Sequence, residues 1–342
     1  MRVAVYYGIK DIRVEEMPVP AVGAGELLVR VEASGICGSD VVEWYRRHKT
    51  GQVQGHEIAG QIVVVGQGVS QYQEGDRVFA YHHVPCNTCH RCLNGHHTTC
   101  ETFHATGFYP GGFAEFVRVS AINVERGIYR LPDHVPYEEG TFVEPLACVV
   151  RGMRLAHMEA GKSVLVLGSG IVGLLHVQLA RALAASRVMA TDVSDYRLDA
   201  ARRFGADVAW HAQEYAPDRL RDVNDGRLAD LVVTTTGALP ALQQALQSVE
   251  PGGTILFFAL AGPDDRLPFS GNDLLLKEIT FTGSYSGSPQ DASVALELIR
   301  NRSVRVAEMV THRLSLAEAG LGFKLVAEAK ECIKVIIEPH KK

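Results

Sequence analysis

The pattern of apolar and polar positions changes character near residue 145. Before that point apolar runs are short and broken by glycine and proline. Residues 1–5, 27–31 and 60–66 read as strands, and Gly75-Asp76 turns the chain into another at 77–78. This half predicts an irregular β domain, a distorted barrel. After residue 145 longer apolar runs take over. Residues 164–167, 188–191, 231–234 and 254–258 read as buried strands, with helical patterns at 171–185 and 196–204 between them. Strands that alternate with helices form a parallel sheet covered on both faces, so the second half predicts a doubly wound α/β unit. A helix at 291–300 and a strand at 332–337 follow. There is no internal repeat and no low-complexity tract.

Composition narrows the function classes. The chain has 342 residues, 46% hydrophobic and 21% charged, which suits a soluble globular protein of two domains. A net charge of −5 without a basic block gives nucleic-acid binding no support. No apolar run reaches the roughly 20 residues of a membrane helix. Residues 1–5 enter a strand at once, with no signal-peptide pattern. Of seven cysteines four are clustered, while Cys37, Cys148 and Cys332 are scattered. That is no disulfide framework, and the expected compartment is the reducing cytoplasm.

Three constellations carry chemistry. Cys86, Cys89, Cys92 and Cys100 are spaced C-x2-C-x2-C-x7-C. Four thiolates on a short loop suit a closed, tetrahedral zinc site that holds a fold together. Gly168, Gly170 and Gly173 form G-x-G-x-x-G between a strand and a helix. In that context the first glycine makes the turn and the second admits a pyrophosphate. The third lets helix and strand pack closely, and the Ile171-Val172 turn presents helix N-terminal amides. Asp192 ends the next strand, where an acid would bind ribose hydroxyls and repel a 2′-phosphate. NAD is therefore expected ahead of NADP, with Arg197 nearby as the contrary sign. The third constellation is Cys37-Gly38-Ser39-Asp40, Gly55-His56-Glu57 and Glu144-Pro145-Leu146. Cys, His and carboxylate suit an open zinc site. On spacing alone, a packed cysteine and a surface His-Glu pair are the commoner readings.

Taken together and in this order, these residues resemble the zinc-dependent medium-chain dehydrogenase/reductase superfamily. Within it they are most similar to the polyol branch of sorbitol and threonine dehydrogenase-like enzymes, the marker being Glu144 in Glu-Pro-Leu. The resemblance implies a Rossmann cofactor domain at 147–286. It also implies a GroES-like catalytic domain from 1–146 and 287–342, with a zinc lobe at about 84–102. It implies two zinc ions per subunit. Cys37, His56 and Glu57, with Glu144 as a ligand or one exchanging with water, would hold the catalytic ion. The four clustered cysteines would hold the structural one.

The implied activity is NAD-dependent oxidation of a polyol's secondary hydroxyl. Ser39 would take the hydroxyl proton and pass it outwards through water, ribose hydroxyls or His48. Glu57 would be a ligand or an adjacent carboxylate. The partners implied are a small alcohol and a second copy of the chain, as dimer or tetramer, with the strand 280–283 a contact by analogy.

The chain also departs from the branch. Val42 stands where sorbitol dehydrogenase-like enzymes carry a histidine, and Ser284-Tyr285 replaces their arginine-tyrosine pair. The segment from Cys37 to His56 is shortened. Trp44, Tyr45, Phe108, Tyr109 and Tyr285 are candidates to line the substrate pocket or to pack in the core. Arg46, Arg47, His48 and Lys49 read as a solvated helix end, with a phosphate clamp as the sharper reading. His82, His83, His96, His97 and His104 read as surface or pocket-rim residues, and Cys148 as a small buried hydrophobe. Threonine 3-dehydrogenase-like and sugar-alcohol phosphate dehydrogenase activities are the rival enzymatic readings. A non-catalytic NAD-binding sensor and a zinc-ribbon nucleic-acid binder are the rivals outside enzymology.

Overall fold

A computed structural model describes residues 1–267 and 269–341 of the chain. They fall into two compact units. One comprises Met1–Ala147, Gly287–Arg302 and Val306–Lys342, the other Cys148–Ser286 and Ser303–Arg305.

The first unit is built on an eight-stranded sheet. Val310–Ser315, Lys334–Glu338, Leu27–Gly35, Glu57–Val65, Arg77–Tyr81 and Ile128–Arg130 follow in order. Phe116–Val119 pairs with Leu27–Gly35 as well, and carries Phe108–Tyr109. A separate sheet sets Arg2–Gly8 between Asp11–Glu16 and Gln52–Val53. Val29, Val31, Ile58, Ile62, Val78, Val117 and Val119 form one buried cluster. The register at one end of the large sheet matters most. Gly35 lies opposite Glu57 on one side and Ile336 on the other. The end of one strand, the start of a second and the middle of a third therefore meet at Gly35. A Cβ there would collide with the Glu57 carboxylate and the Lys334 side chain, so only glycine lets them approach.

The second unit holds six parallel strands. Their order is Val208–His211, Arg187–Asp192, Ser163–Leu167, Ala229–Thr234, Val249–Phe257 and Thr280–Gly283. Counted along the chain this is 3-2-1-4-5-6, the doubly wound arrangement that the apolar runs predict. Ser163–Leu167 is buried at every residue, because helices cover both faces of a parallel sheet. The strand order reverses beside Ser163–Leu167, and the glycine loop sits at that strand's carboxyl end. That is where such sheets bind ligands.

His176 on the helix Ile171–Ala182 is fully buried. Its Nδ1 lies 2.9 Å from the Val172 carbonyl oxygen, and its ring stands edge-on to Phe258 at 4.7 Å. Burial pushes its pKa down to about 4. The unfolded chain thus binds a proton between the ordinary histidine value and pH 4 that the folded chain refuses, so stability falls as pH falls through that window. The expected loss is about 2 kcal/mol at pH 5, from a shift of 1.36 kcal/mol per pH unit. His176→Leu should remove this loss. Melting temperatures at pH 7 and pH 5 test it: an equal acid-side drop in both proteins would refute the assignment.

Candidate active site

Cys37 caps the short 3-10 turn Gly38–Val41. Its Sγ accepts from the Ser39 amide at 3.4 Å, and the Asp40 carboxylate accepts from the Cys37 amide at 3.1 Å. This reciprocal pair is a capping box with a thiol in the place of the usual hydroxyl. It fixes the sulfur, the Ser39 hydroxyl and the Asp40 carboxylate on one turn. The Ser39 hydroxyl lies 3.3 Å from Cys37 Sγ.

The strand pairing at Gly35 carries Glu57 and its neighbour His56 to the same place. Ligand atoms of Cys37, His56 and Glu57 all lie within 4.8 Å of one another. Glu57 is buried and forms an ion pair with Lys334, which is buried to the same degree. The ammonium also donates to the Ile36 carbonyl oxygen at 3.2 Å. Glu144 opens the helix Val143–Leu155, is buried, and acts electrostatically on His56. It stands outside the three-residue cluster. Burial opposes a charge on His56. Asp40 Oδ1 at 3.7 Å, the Cys37 sulfur and Glu144 outweigh it and raise its pKa to about 10. Negative charge concentrated here to this degree attracts a cation, and a divalent ion would displace that proton.

The four clustered cysteines converge on a separate lobe. Cys86 and Cys92 sulfurs are 3.9 Å apart, Cys89 and Cys92 3.6 Å, and Cys86 and Cys100 3.6 Å. A tetrahedral Zn–S length of about 2.3 Å requires sulfurs about 3.8 Å apart, so the cage fits zinc. The Thr88 and Cys89 amides point at Cys86 Sγ from 3.5 and 3.3 Å, and lower its pKa to about 5. The thiolate that a metal needs is thereby favoured. Cys92, Cys100 and Phe103 form the lobe's own small core.

In the second unit Gly168 has φ +99°, and a Cβ on Gly173 would strike the Gly168 carbonyl oxygen. Both are as the loop demands. Gly170 caps the helix that Ile171 and Val172 begin. Asp192 is buried, and its two oxygens accept from the Ser169 amide at 2.7 Å and the Ser194 amide at 2.9 Å. The acid thus braces the glycine loop. Arg197 Nη1 lies 3.8 Å from where a Cβ on Gly170 would stand.

The remaining candidates are spread more widely. His48 lies exposed in the turn Arg47–Lys49, and Trp44 is 39% exposed on the preceding short helix. Phe108 is half-buried, 6.3 Å from the His82 ring. Tyr285 is exposed in the second unit. The His82 ring packs tilted against His56 with centroids 4.9 Å apart, and His83 is anchored by Nδ1 to the Thr106 carbonyl oxygen at 2.8 Å. Burial keeps both below the ordinary histidine pKa, His83 at about 4, so they are neutral walls of the site. The solvated reading holds for exposed Arg47 and His48 but not for Arg46, which turns inward. Lys334 carries no motif. Its one signal in the sequence is a lone cation in the apolar run Cys332-Ile333-Lys334-Val335-Ile336-Ile337, which a strand can bury only against an anion.

Comparison with known proteins agrees with this architecture. Residues 23–133 match the alcohol dehydrogenase GroES-like domain, and residues 172–301 match the zinc-binding dehydrogenase domain. The chain is 33% identical to the probable D-xylulose reductase A of Aspergillus clavatus, over 96% of this chain and 94% of the relative. The chain therefore belongs to the zinc-binding alcohol dehydrogenase family and is an oxidoreductase of that family. It is 29% identical to the sorbitol dehydrogenase of Bacillus subtilis, over 100% of this chain and 98% of that one. The solved alcohol dehydrogenase TADH from Thermus sp. ATN1 superposes with a TM-score of 0.89 at 30% identity, over 99% of both chains. Two further solved structures, at 26% and 25% identity, hold NADP and NADH respectively. No described helix is long and apolar enough to cross a membrane.

Proposed function

We propose that this enzyme oxidises a secondary hydroxyl of a polyol or sugar alcohol to the ketone, reversibly, with NAD as hydride acceptor. One observation carries the reading above the others. Cys37, His56 and Glu57 bring three different ligand types within 4.8 Å, with the Ser39 hydroxyl 3.3 Å from the cysteine sulfur. Relatives named for D-xylulose and sorbitol support the polyol class. Held by Cys37, His56 and a carboxylate from Glu57 or Glu144, zinc supplies a Lewis acid that lowers the pKa of a substrate hydroxyl. NAD supplies the hydride acceptor.

The chain does the rest. Ser39 accepts a hydrogen bond from the substrate hydroxyl beside Cys37. Val42 offers no relay, so a proton leaves through water or the exposed His48. Trp44 and Phe108 are the aromatic candidates for the pocket in the first unit. In the second unit the first amides of Ile171–Ala182 receive the pyrophosphate, assisted by Arg197. Asp192 meets the ribose hydroxyls and repels a 2′-phosphate, which favours NAD. A carboxylate or phosphate substrate finds less support, because Arg46 is engaged with Ser39 and Asp40. Four of the seven cysteines converge as ligands in the lobe and three are scattered, a metal-site pattern rather than a disulfide framework, which supports the reducing cytoplasm as its compartment.

The test is cofactor reduction across a panel of free polyols, threonine, simple secondary alcohols and sugar-alcohol phosphates, with NAD or NADP and with or without a zinc chelator. The expected result is chelator-sensitive turnover of free polyols, at least about 100-fold better with NAD, the scale of one buried charge contact of about 3 kcal/mol. Preference for a phosphorylated substrate or for NADP would sink those parts of the reading.

A second copy of the chain is the proposed partner. Thr280–Gly283 is an open edge of the parallel sheet, with exposed Phe281 on it and exposed Leu275 and Leu276 on the preceding helix Gly271–Leu276. Bare edges and apolar patches of this kind pair with a partner. Leu276→Glu should shift the mass in solution from oligomer to monomer, as light scattering would report. An unchanged mass would exclude this face.

A further inference from the structure

Arg46 reads in the sequence as one member of a basic run, and the proposed reaction does not use it. Its side chain is nonetheless only 14% exposed and points into the turn that carries the site. Nε donates to the Ser39 carbonyl oxygen at 3.1 Å, and Nη2 donates to Ser39 Oγ at 2.7 Å. Nη2 also lies 3.0 Å from Asp40 Oδ1. The guanidinium thus grips both the backbone and the side chain of Ser39, and the carboxylate next to it.

The consequence follows from the hydrogen-bonding inventory. A serine hydroxyl has one proton to donate and two lone pairs to accept with, whereas arginine only donates. One lone pair of Ser39 Oγ is therefore filled by Arg46. The Ser39 proton must point elsewhere, and Cys37 Sγ at 3.3 Å is the neighbour that receives it. A single lone pair is left for a substrate hydroxyl. Without Arg46, Oγ could rotate among its staggered positions and present its proton rather than its lone pair. The guanidinium also sets a permanent positive charge behind that oxygen, in a site where charge is poorly screened. Val42, in the same turn, is apolar and can do neither.

We propose that Arg46 is a positioning residue of this active site, which holds the resting Ser39 hydroxyl with its proton on Cys37 Sγ and its free lone pair towards the substrate hydroxyl; as that lone pair takes the substrate proton, the original Ser39 proton is released from Cys37 Sγ to water. The inference rests on the placement of substrate and metal at Cys37, His56 and Ser39 given above. It extends that reading by naming the residue through which Ser39 acts.

The test is a double-mutant cycle with a spectroscopic arm. Ser39→Ala, Arg46→Met, Arg46→Lys and the double variant Ser39→Ala/Arg46→Met are compared with the parent at matched zinc content. Arg46→Met should lower kcat at least tenfold with KM changed less than threefold. In the Ser39→Ala background the same change should cost less than twofold, because the arginine acts through the serine. Arg46→Lys keeps the charge but not the fork, and should fall between parent and Arg46→Met. An equal loss in both backgrounds, or a loss explained wholly by lost metal, would overturn the proposal.

The second readout needs no turnover. In the cobalt-substituted protein the thiolate-to-metal absorption of Cys37 senses a hydrogen bond to its sulfur. Ser39→Ala and Arg46→Met should shift this band in the same direction, while the four-cysteine lobe contributes equally to every variant. An unmoved band in Arg46→Met refutes the positioning role. If the parent oxidises no alcohol at all, the proposed function fails while the cobalt spectrum still decides the role of Arg46.

Discussion

Replacing Lys334 with methionine should cost about 3–5 kcal/mol of stability, the usual penalty for removing one partner of a buried ion pair. Lys334 and Glu57 are each 1% exposed and contact one another. Removing the ammonium leaves a carboxylate in the sheet interior without its counter-charge. For a unit of this size the melting temperature should fall by about 10 °C. The reverse change, Glu57→Gln, strands the ammonium and should be comparably harmful. Changing both to apolar residues of similar volume should recover most of the loss, because no charge then stays buried. Urea unfolding of the four proteins at fixed zinc concentration measures this. A single variant within about 1 kcal/mol of the parent would mean that the pair is not buried as described. The ion pair also has a functional side. Lys334 holds Glu57 beside Cys37 and His56, so its loss should free the carboxylate to change its position at the proposed metal site.

The second large effect separates the two proposed metal sites. Cys37→Ser should abolish turnover, by at least about 1000-fold if the metal contributes some 4 kcal/mol to the barrier. It should lower zinc content by one equivalent while the melting temperature barely moves. Cys89→Ser should also lower zinc content by one equivalent, but with the opposite balance. The lobe has only Cys92, Cys100 and Phe103 as a buried core, so without its ion it should lose its shape and the melting temperature should fall. Metal analysis, calorimetry and kcat on the three proteins give the comparison. Turnover surviving in Cys37→Ser would displace the catalytic assignment from Cys37. Wild-type stability in Cys89→Ser would remove the structural role of the lobe.

The parallel sheet was legible because its strands are buried on both faces. Residues 164–167, 188–191 and 231–234 run apolar without interruption, and the strands observed there extend these runs by only a few residues. Other elements gave no such signal. Asp11–Glu16 alternates polar and apolar residues only from Asp11 to Glu15 and buries neither face, so pairing with Arg2–Gly8 is what makes it a strand. Val208–His211 is a four-residue edge, too short for periodicity to register. The helix Ala319–Glu328 is interrupted by Gly320 and Gly322, which weaken a helical reading that packing against Lys334–Glu338 overrides.

The same division runs through the site. By itself the sequence determined what is local: the four-cysteine lobe, the glycine loop with its following helix, and the turn that sets Ser39 beside Cys37. In each of these the partners lie a few residues apart, and chain geometry brings them together whatever the rest of the fold does. Tertiary structure decided the others. Cys37 meets His56 and Glu57 only through the pairing of Leu27–Gly35 with Glu57–Val65. Lys334 reaches Glu57 only because Lys334–Glu338 lies along the other side of Leu27–Gly35. Arg46 belongs to the site rather than to solvent because the anion of Asp40 and the oxygens of Ser39 lie within its reach on the inward side of the turn. A residue's type states which interactions it needs. Which partner supplies them is set by strand register and burial, and those depend on the whole chain.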